Sequence, residues 1–161
     1  AVKPAAMATR SGVVGVLATA GSLGGNLFLR TSARYADRAR FIAAVGEGFV
    51  EIVEQSQEST PEAEEAVRRV VEPLITEGAD QIVLGCTHYP FLREVIERVI
   101  DDREVAVIDP APAVARRVEQ LLDQFEMRAD AENEAQYAFV TFASDDYLNR
   151  LKDKALQIIS R

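Results

Sequence analysis

"ADQIVLGCTHYPFLREVIERVI", residues 79–100, passes from one structural grammar to another within a few positions. Its first part is a short continuous apolar run, the pattern of a strand covered on both faces in a parallel sheet. Beyond Pro90 the apolar residues Leu92, Val95, Ile96, Val99 and Ile100 recur at helical spacing. The join holds the chain's single cysteine, Cys86, and its single histidine, His88.

The same alternation extends in both directions. Downstream, "EVAVID" (104–109) reads as the next strand, and Val114, Ala115, Val118, Leu121, Leu122 and Phe125 mark a helix after it. Upstream, "STPEAEEAVRRVVEPLITEG" (59–78) reads as a helix. It has a cap at Ser59 or Thr60, proline in the first turn, early acids and a stop at Gly78. Its Ala63, Ala66, Val67, Val70, Val71, Leu74 and Ile75 share one face. "GVVGVLAT" (12–19) is a further buried strand that ends in the turn-forming "TAGSLGG", with Leu23, Leu27 and Phe28 opening a helix. "FIAAVG" (41–46) reads as a short strand, followed by the acidic helix or turn "EGFVEIVEQ" (47–55). Strand–helix alternation of this kind predicts an α/β fold: a parallel sheet with right-handed crossovers, flanked by helices. The charged stretch 126–136 has no apolar period and reads as a loop. After it, "QYAFVTFA" (136–143) is expected to be a strand, and a last helix near Asp145 is expected to turn Tyr147, Leu148, Leu151, Ala155, Ile158 and Ile159 inward.

Composition narrows the function classes. In 161 residues, 48% hydrophobic, 18 Lys and Arg face 26 Asp and Glu, giving a net charge of −8. That balance argues against a nucleic-acid or anionic-membrane partner, which clustered basic residues would serve. One cysteine makes no internal disulfide, so a reducing, cytoplasmic compartment is expected. No apolar run approaches the roughly 18 residues of a membrane span, and "AVKPAAMATR" lacks a signal peptide's apolar core. The missing initiator methionine points to a fragment of a longer protein.

In an open parallel sheet, ligands bind outside the carboxyl ends of the strands. Three polar groups fall at such ends: Thr19 with Ser22, Cys86 with Thr87 and His88, and Asp109. A cysteine opening the turn before a helix lies near backbone N–H groups and the positive end of a helix dipole, which favour the thiolate. It reads equally as one more small buried residue. His88 by itself reads as readily as a histidine bonded to a backbone carbonyl. One Cys and one His fall short of a zinc site, and "GSLGG" has neither the lysine of a phosphate loop nor dinucleotide spacing, so neither metal nor nucleotide cofactor is expected. Glu51 and Glu54 look like members of a solvated helical face.

"GVVGVLATAGS", "VGEGFVEIVE", "GADQIVLGCTHYPFL" and "VIDPAPAVARRV", in this order, resemble the later part of glutamate racemases of the aspartate/glutamate racemase superfamily; "LGCTHYP" is the specific block. The resemblance implies a cofactor-independent, two-base racemase whose thiols face opposite sides of glutamate and serve peptidoglycan synthesis. By the resemblance, Cys86 matches one catalytic cysteine and His88 its proton partner. Glu54 matches the acid near that histidine, although Glu51 stands where relatives often have proline. Thr87 matches a substrate-binding position, and Thr19 and Ser22 match a substrate-holding hydroxyl pair, Ser22 standing where many relatives have threonine. Roughly the family's first third, with the other catalytic cysteine, has no counterpart in the sequence, so this chain alone should not racemise glutamate. Residues 1–109 are expected to form a near-complete α/β domain, with 110–161 belonging to a second, incomplete one. Its open sheet edge and apolar helix face favour association, a homodimer being the simplest form. A single-cysteine decarboxylase or isomerase of the same superfamily, and a non-catalytic α/β module with a structural Cys86, are the alternatives.

Overall fold

The computed structural model describes residues 1–130 and 132–159. Its centre is a parallel sheet of four strands, β1 (Val13–Ala18), β2 (Arg40–Val45), β3 (Gln81–Leu84) and β4 (Ala106–Ile108), in the order β2-β1-β3-β4. β1 and β3 are central, and their residues are almost all buried, as the unbroken apolar runs predict. Between β1 and β2 lie α2 (Ala20–Leu23) and α3 (Asn26–Arg34); between β2 and β3 lie α4 (Phe49–Glu54) and α5 (Pro61–Thr76). α6 (Arg93–Ile100) joins β3 to β4, and α7 (Ala111–Gln124) and α8 (Asp145–Ile159) follow. α1 (Val2–Ala8), which no periodicity announces, precedes the sheet and buries Ala5 and Ala6.

The order of the strands fixes the two faces. From β1 the chain moves outward to β2, then jumps back over β1 to β3 and on to β4. Crossovers of one hand that run in opposite directions put their helices on opposite sides of a sheet. The core divides accordingly. Leu17, Ile82 and Leu84 pack with Phe49 and Val53 of α4, Val67, Val71 and Leu74 of α5, and Ile96 and Val99 of α6. Val14, Val16 and Val83 pack on the other face with Ala5, Ala6, Leu23 and Phe28. Neighbouring residues of β1 thus serve opposite layers, the period-two rule of a strand. At the opposite end of the sheet Asp80, just before β3, accepts from Thr9 Oγ1 at 2.5 Å and from the backbone N–H of Arg10 and Ser11 at 2.6 and 2.9 Å. It ties the entry to β1 to the entry to β3.

Local chemistry sets the ends of α5. Thr60 caps it, its hydroxyl accepting from the Ala63 N–H at 3.2 Å. Past its C-terminus, Gly78 takes φ +91°, where a side chain would be strained.

Three expectations need correction. Gly24 and Gly25 divide the helix after β1 in two, and Leu27 points outward, 82% exposed, while Leu23 and Phe28 remain half-buried. "QYAFVTFA" forms no strand: no described strand pairs with it, and Tyr137, Val140 and Phe142 are exposed. An apolar, β-prone sequence becomes a strand only where a neighbouring edge receives its hydrogen bonds. The inward face of α8 is only partly covered, with Tyr147, Leu148 and Ala155 half-buried and Leu151, Ile158 and Ile159 exposed. The charged stretch 126–136 is irregular where described; residue 131 lies outside the described residues. α7 has the expected spacing, but Val114 and Phe125 are 59% and 60% exposed.

Candidate functional site

β1 and β3 are the neighbours at which the chain reverses its direction across the sheet, and such a switch point opens a crevice at the strands' carboxyl ends. Leu17 pairs with Leu84, and the Gly85 N–H donates to the Leu17 carbonyl at 2.6 Å. That register, carried two residues on, sets Thr19 level with Cys86. Gly85 is needed for the approach. A Cβ there would lie 2.9 Å from both the Leu17 carbonyl oxygen and the Ala18 Cβ, so any larger residue would push the two strand ends apart.

The segment after β3 is pinned by Tyr89. Its ring is buried and meets Phe49 edge-on, with centroids 5.2 Å apart and planes at 70°. Such aromatic pairs contribute about 0.5–1.5 kcal/mol beyond simple burial. The Tyr89 hydroxyl donates to the Gly46 carbonyl at 3.3 Å. A Cβ on Gly46 would lie 2.6 Å from the Phe49 ring and from that hydroxyl, so the contact requires glycine. Burial, with the Cys86 sulfur as the next influence, pushes the Tyr89 phenol up to about 12.

Because Tyr89 fastens the segment to α4, His88 is brought to the end of that helix. Its Nδ1 lies 3.9 Å from Cys86 Sγ, and its Nε2 lies 3.4 Å from Glu54 Oε1. The three residues form a row: sulfur, imidazole, carboxylate. All three are partly accessible. Tyr89–Leu92 is a 3-10 turn, and α6 begins only at Arg93. The helix end expected beside Cys86 therefore stands about a turn further along the chain.

Thr19 and Ser22 also come together. The Thr19 hydroxyl donates to Ser22 Oγ at 3.0 Å and accepts from the Ser22 N–H at 3.4 Å, capping α2. No hydrogen bond among the described residues joins this pair to the Cys86–His88–Glu54 row. Thr87 is exposed beside His88 and borders a cavity of about 260 Å³ between α4, the turn after β3, and α8. Asp109 accepts from the Ala111 N–H at 2.8 Å and so serves the start of α7. Among the described residues no group of three His, Cys, Asp or Glu side chains is arranged to hold a metal ion, and no helix is long and apolar enough to cross a membrane.

Sequence reasoning missed how α8 engages this site. The Tyr147 hydroxyl donates to Glu54 Oε1 at 3.2 Å, and Arg150 Nε donates to the Glu54 carbonyl at 3.1 Å. Nearby, Lys154 pairs with Glu58 and stands 5.1 Å from the centre of the Phe91 ring. The helical period indicates that Tyr147 faces inward; it carries no sign of what the hydroxyl meets.

Comparison with known proteins identifies the family and the fold. The profile of the Asp/Glu/hydantoin racemase family matches residues 1–118. The glutamate racemase of Ectopseudomonas mendocina (strain ymp) is 46% identical over 129 residues, covering 80% of this chain and 49% of the relative. That of Pseudomonas entomophila (strain L48) is 42% identical over 151 residues, covering 94% and 56%. The chain thus spans about half the length of the curated relatives it matches. Escherichia coli glutamate racemase, solved with L-glutamate and the activator UDP-MurNAc-ala, superposes with a TM-score of 0.75 at 28% identity, over 96% of this chain and 59% of that one. The Bacillus anthracis isoform RacE1 superposes with a TM-score of 0.81 over 97% and 58%; at 24% identity it speaks to the fold.

Proposed function

The chain belongs to the Asp/Glu/hydantoin racemase family, and on that premise we propose that it supplies one catalytic half of a glutamate racemase that provides D-glutamate for peptidoglycan. The observation that carries this reading is the row Cys86–His88–Glu54 at the carboxyl end of β3. A cysteine that merely fills space has no use for an imidazole backed by a carboxylate.

In the proposed reaction one thiolate takes the α-proton of glutamate. The Cα–H bond breaks, an S–H bond forms, and the electron pair stays on Cα, spread towards the substrate carboxylate. A thiol on the opposite face then gives its proton to Cα, which inverts the centre and leaves that sulfur as thiolate. Cys86 is one of these two sulfurs. With no other cysteine in the chain, the opposing thiol belongs to the part of a full-length racemase that the sequence does not span. Because the α-proton is very weakly acidic, the base must be held within reach, and the developing charge must meet fixed donors. His88 exchanges a proton with Cys86 on its Nδ1 side, and Glu54 stabilises the imidazolium from the Nε2 side. Thr19, Ser22 and Thr87 bind the substrate's polar groups. A reducing, cytoplasmic compartment suits a reaction that needs Cys86 as a free thiol.

We assign residues 110–161 to a second α/β unit that the rest of the enzyme completes. The uncovered apolar face of α7 supports this assignment. The test is conversion of L- to D-glutamate, followed by chiral chromatography, in a version extended to the relatives' length. Cys86→Ala should lower the rate about a thousandfold, as expected for loss of an essential base. Retained activity would remove Cys86 from the mechanism.

A further inference from the structure

Among the described residues, two polar groups flank Glu54 Oε1: His88 Nε2 at 3.4 Å and the Tyr147 hydroxyl at 3.2 Å. The first belongs to the row of the proposed site. The second comes from α8, far along the chain, and belongs to no motif. An unrestrained glutamate at the end of a short helix has three side-chain torsions to explore, so proximity to His88 alone would hold its carboxylate loosely. Two contacts from α8 restrict it. Tyr147 fixes the carboxylate oxygen, and Arg150 fixes the carbonyl of the same residue.

We propose that Tyr147 is a positioning residue whose hydroxyl holds the Glu54 carboxylate against His88, and that this one hydrogen bond from α8 determines which imidazole nitrogen carries the proton. The proposal rests on the functional reading above, in which His88 serves Cys86. A carboxylate at Nε2 favours the proton on that nitrogen, which leaves the Nδ1 lone pair directed towards Cys86 Sγ. Displacing the carboxylate lets the imidazole divide between its two tautomers. Among the described residues, the charged and titratable groups that touch this row or line the adjoining cavity are Glu54 from α4, Cys86 on the same segment as His88, and Tyr147, Arg150 and Lys154 from α8. Arg150 is engaged by Asp146 and the Glu54 carbonyl, and Lys154 by Glu58, which leaves the Tyr147 hydroxyl as the donor from α8 to the carboxylate itself. Bonding to Glu54, with the carboxylate charge behind it, holds the Tyr147 phenol above its usual range, as expected of a hydroxyl that donates to an anion.

The chain has one histidine, so the two ring ¹⁵N shifts of histidine-labelled protein report the tautomer of His88 without overlap. Glu54→Ala sets the scale by removing the carboxylate. Tyr147→Phe keeps the ring and deletes the hydroxyl; the expected result is a displacement of both shifts by at least half that of Glu54→Ala. The Phe91 ring signals, which report the Lys154 contact and hence the seat of α8, should stay in place. Unchanged His88 shifts in Tyr147→Phe would overturn the proposal. So would their movement together with Phe91, because that would mean the helix had left its seat. If Glu54→Ala itself leaves His88 unchanged, the row is not coupled and the functional reading fails with the proposal; if only Tyr147→Phe is silent, that reading stands.

Discussion

His88 Nδ1 lies 3.9 Å from Cys86 Sγ, on the side of the ring opposite the one that faces Glu54. The distance is long for a tight hydrogen bond and short enough for a proton to be exchanged after a small adjustment. Native iodoacetamide alkylation of Cys86 near neutral pH should therefore depend on the imidazole. His88→Asn is expected to slow it by roughly an order of magnitude, whereas both proteins should react alike after unfolding. Because the chain has one thiol, mass spectrometry reads the rate directly. Equal native rates would mean that His88 does nothing for the sulfur.

Asp80 makes a prediction about acid. Burial pushes its carboxyl up, but the bonds from Thr9, Ser11 and Arg10 outweigh that effect and hold it below the usual carboxylate value. A carboxyl depressed by folding contributes stability above its ordinary value of 3.8 and loses it as pH falls through the lower folded value. Urea midpoints should accordingly drop as pH is lowered through and below this value. Asp80→Ala should lose part of that dependence and about 2 kcal/mol near neutral pH, the usual scale for hydrogen bonds to a charged group. An unaltered acid profile in the variant would show that the staple contributes nothing.

Tyr89 makes the corresponding prediction about base. An unfolded tyrosine releases its proton near 10, whereas the buried Tyr89 holds it to about 12. A raised value means that folding favours the neutral form, so this contribution is complete below pH 10 and is lost as pH climbs towards 12. Tyr89→Phe should flatten the alkaline loss of stability. It should also cost about 1–2 kcal/mol near neutral pH, because the Gly46 carbonyl loses its buried donor. An alkaline profile equal to that of the original chain would contradict the assignment.

Gly46→Ala tests the same anchor by crowding it. Overpacking Phe49 and the Tyr89 hydroxyl should cost about 1–3 kcal/mol in thermal or urea unfolding. It should also slow Cys86 alkylation, since Tyr89 is what brings His88 to α4. Loss of stability with the alkylation rate intact would separate the anchor from the site.

The central strands and their helices are legible in the sequence because burial on two faces leaves its own signature. "GVVGVLAT" and "ADQIVLGC" are unbroken apolar runs, and α5 and α6 repeat at helical spacing. Cys86 and His88 stand out because each is the only one of its kind and they lie two residues apart. Glu54 does not: in the periodic pattern it resembles Glu51, and only the resemblance distinguishes them. The contact that selects it passes through Phe49 and Tyr89, which are forty residues apart in sequence, and no local window contains both. The strand expected at 136–143 fails for a related reason. An apolar, β-prone run records what a segment would do beside an edge; the sequence cannot report whether an edge is there. Tyr147 is the same case at longer range, its helical face readable and its partner not.

The most direct measurement is exchange of the α-proton of D- and L-glutamate in deuterated water, on this chain and on a version extended to the relatives' length. The account predicts exchange of both enantiomers, with inversion, in the longer protein and neither in this chain. Absence of exchange in the longer protein, folded and with Cys86 reduced, would contradict it.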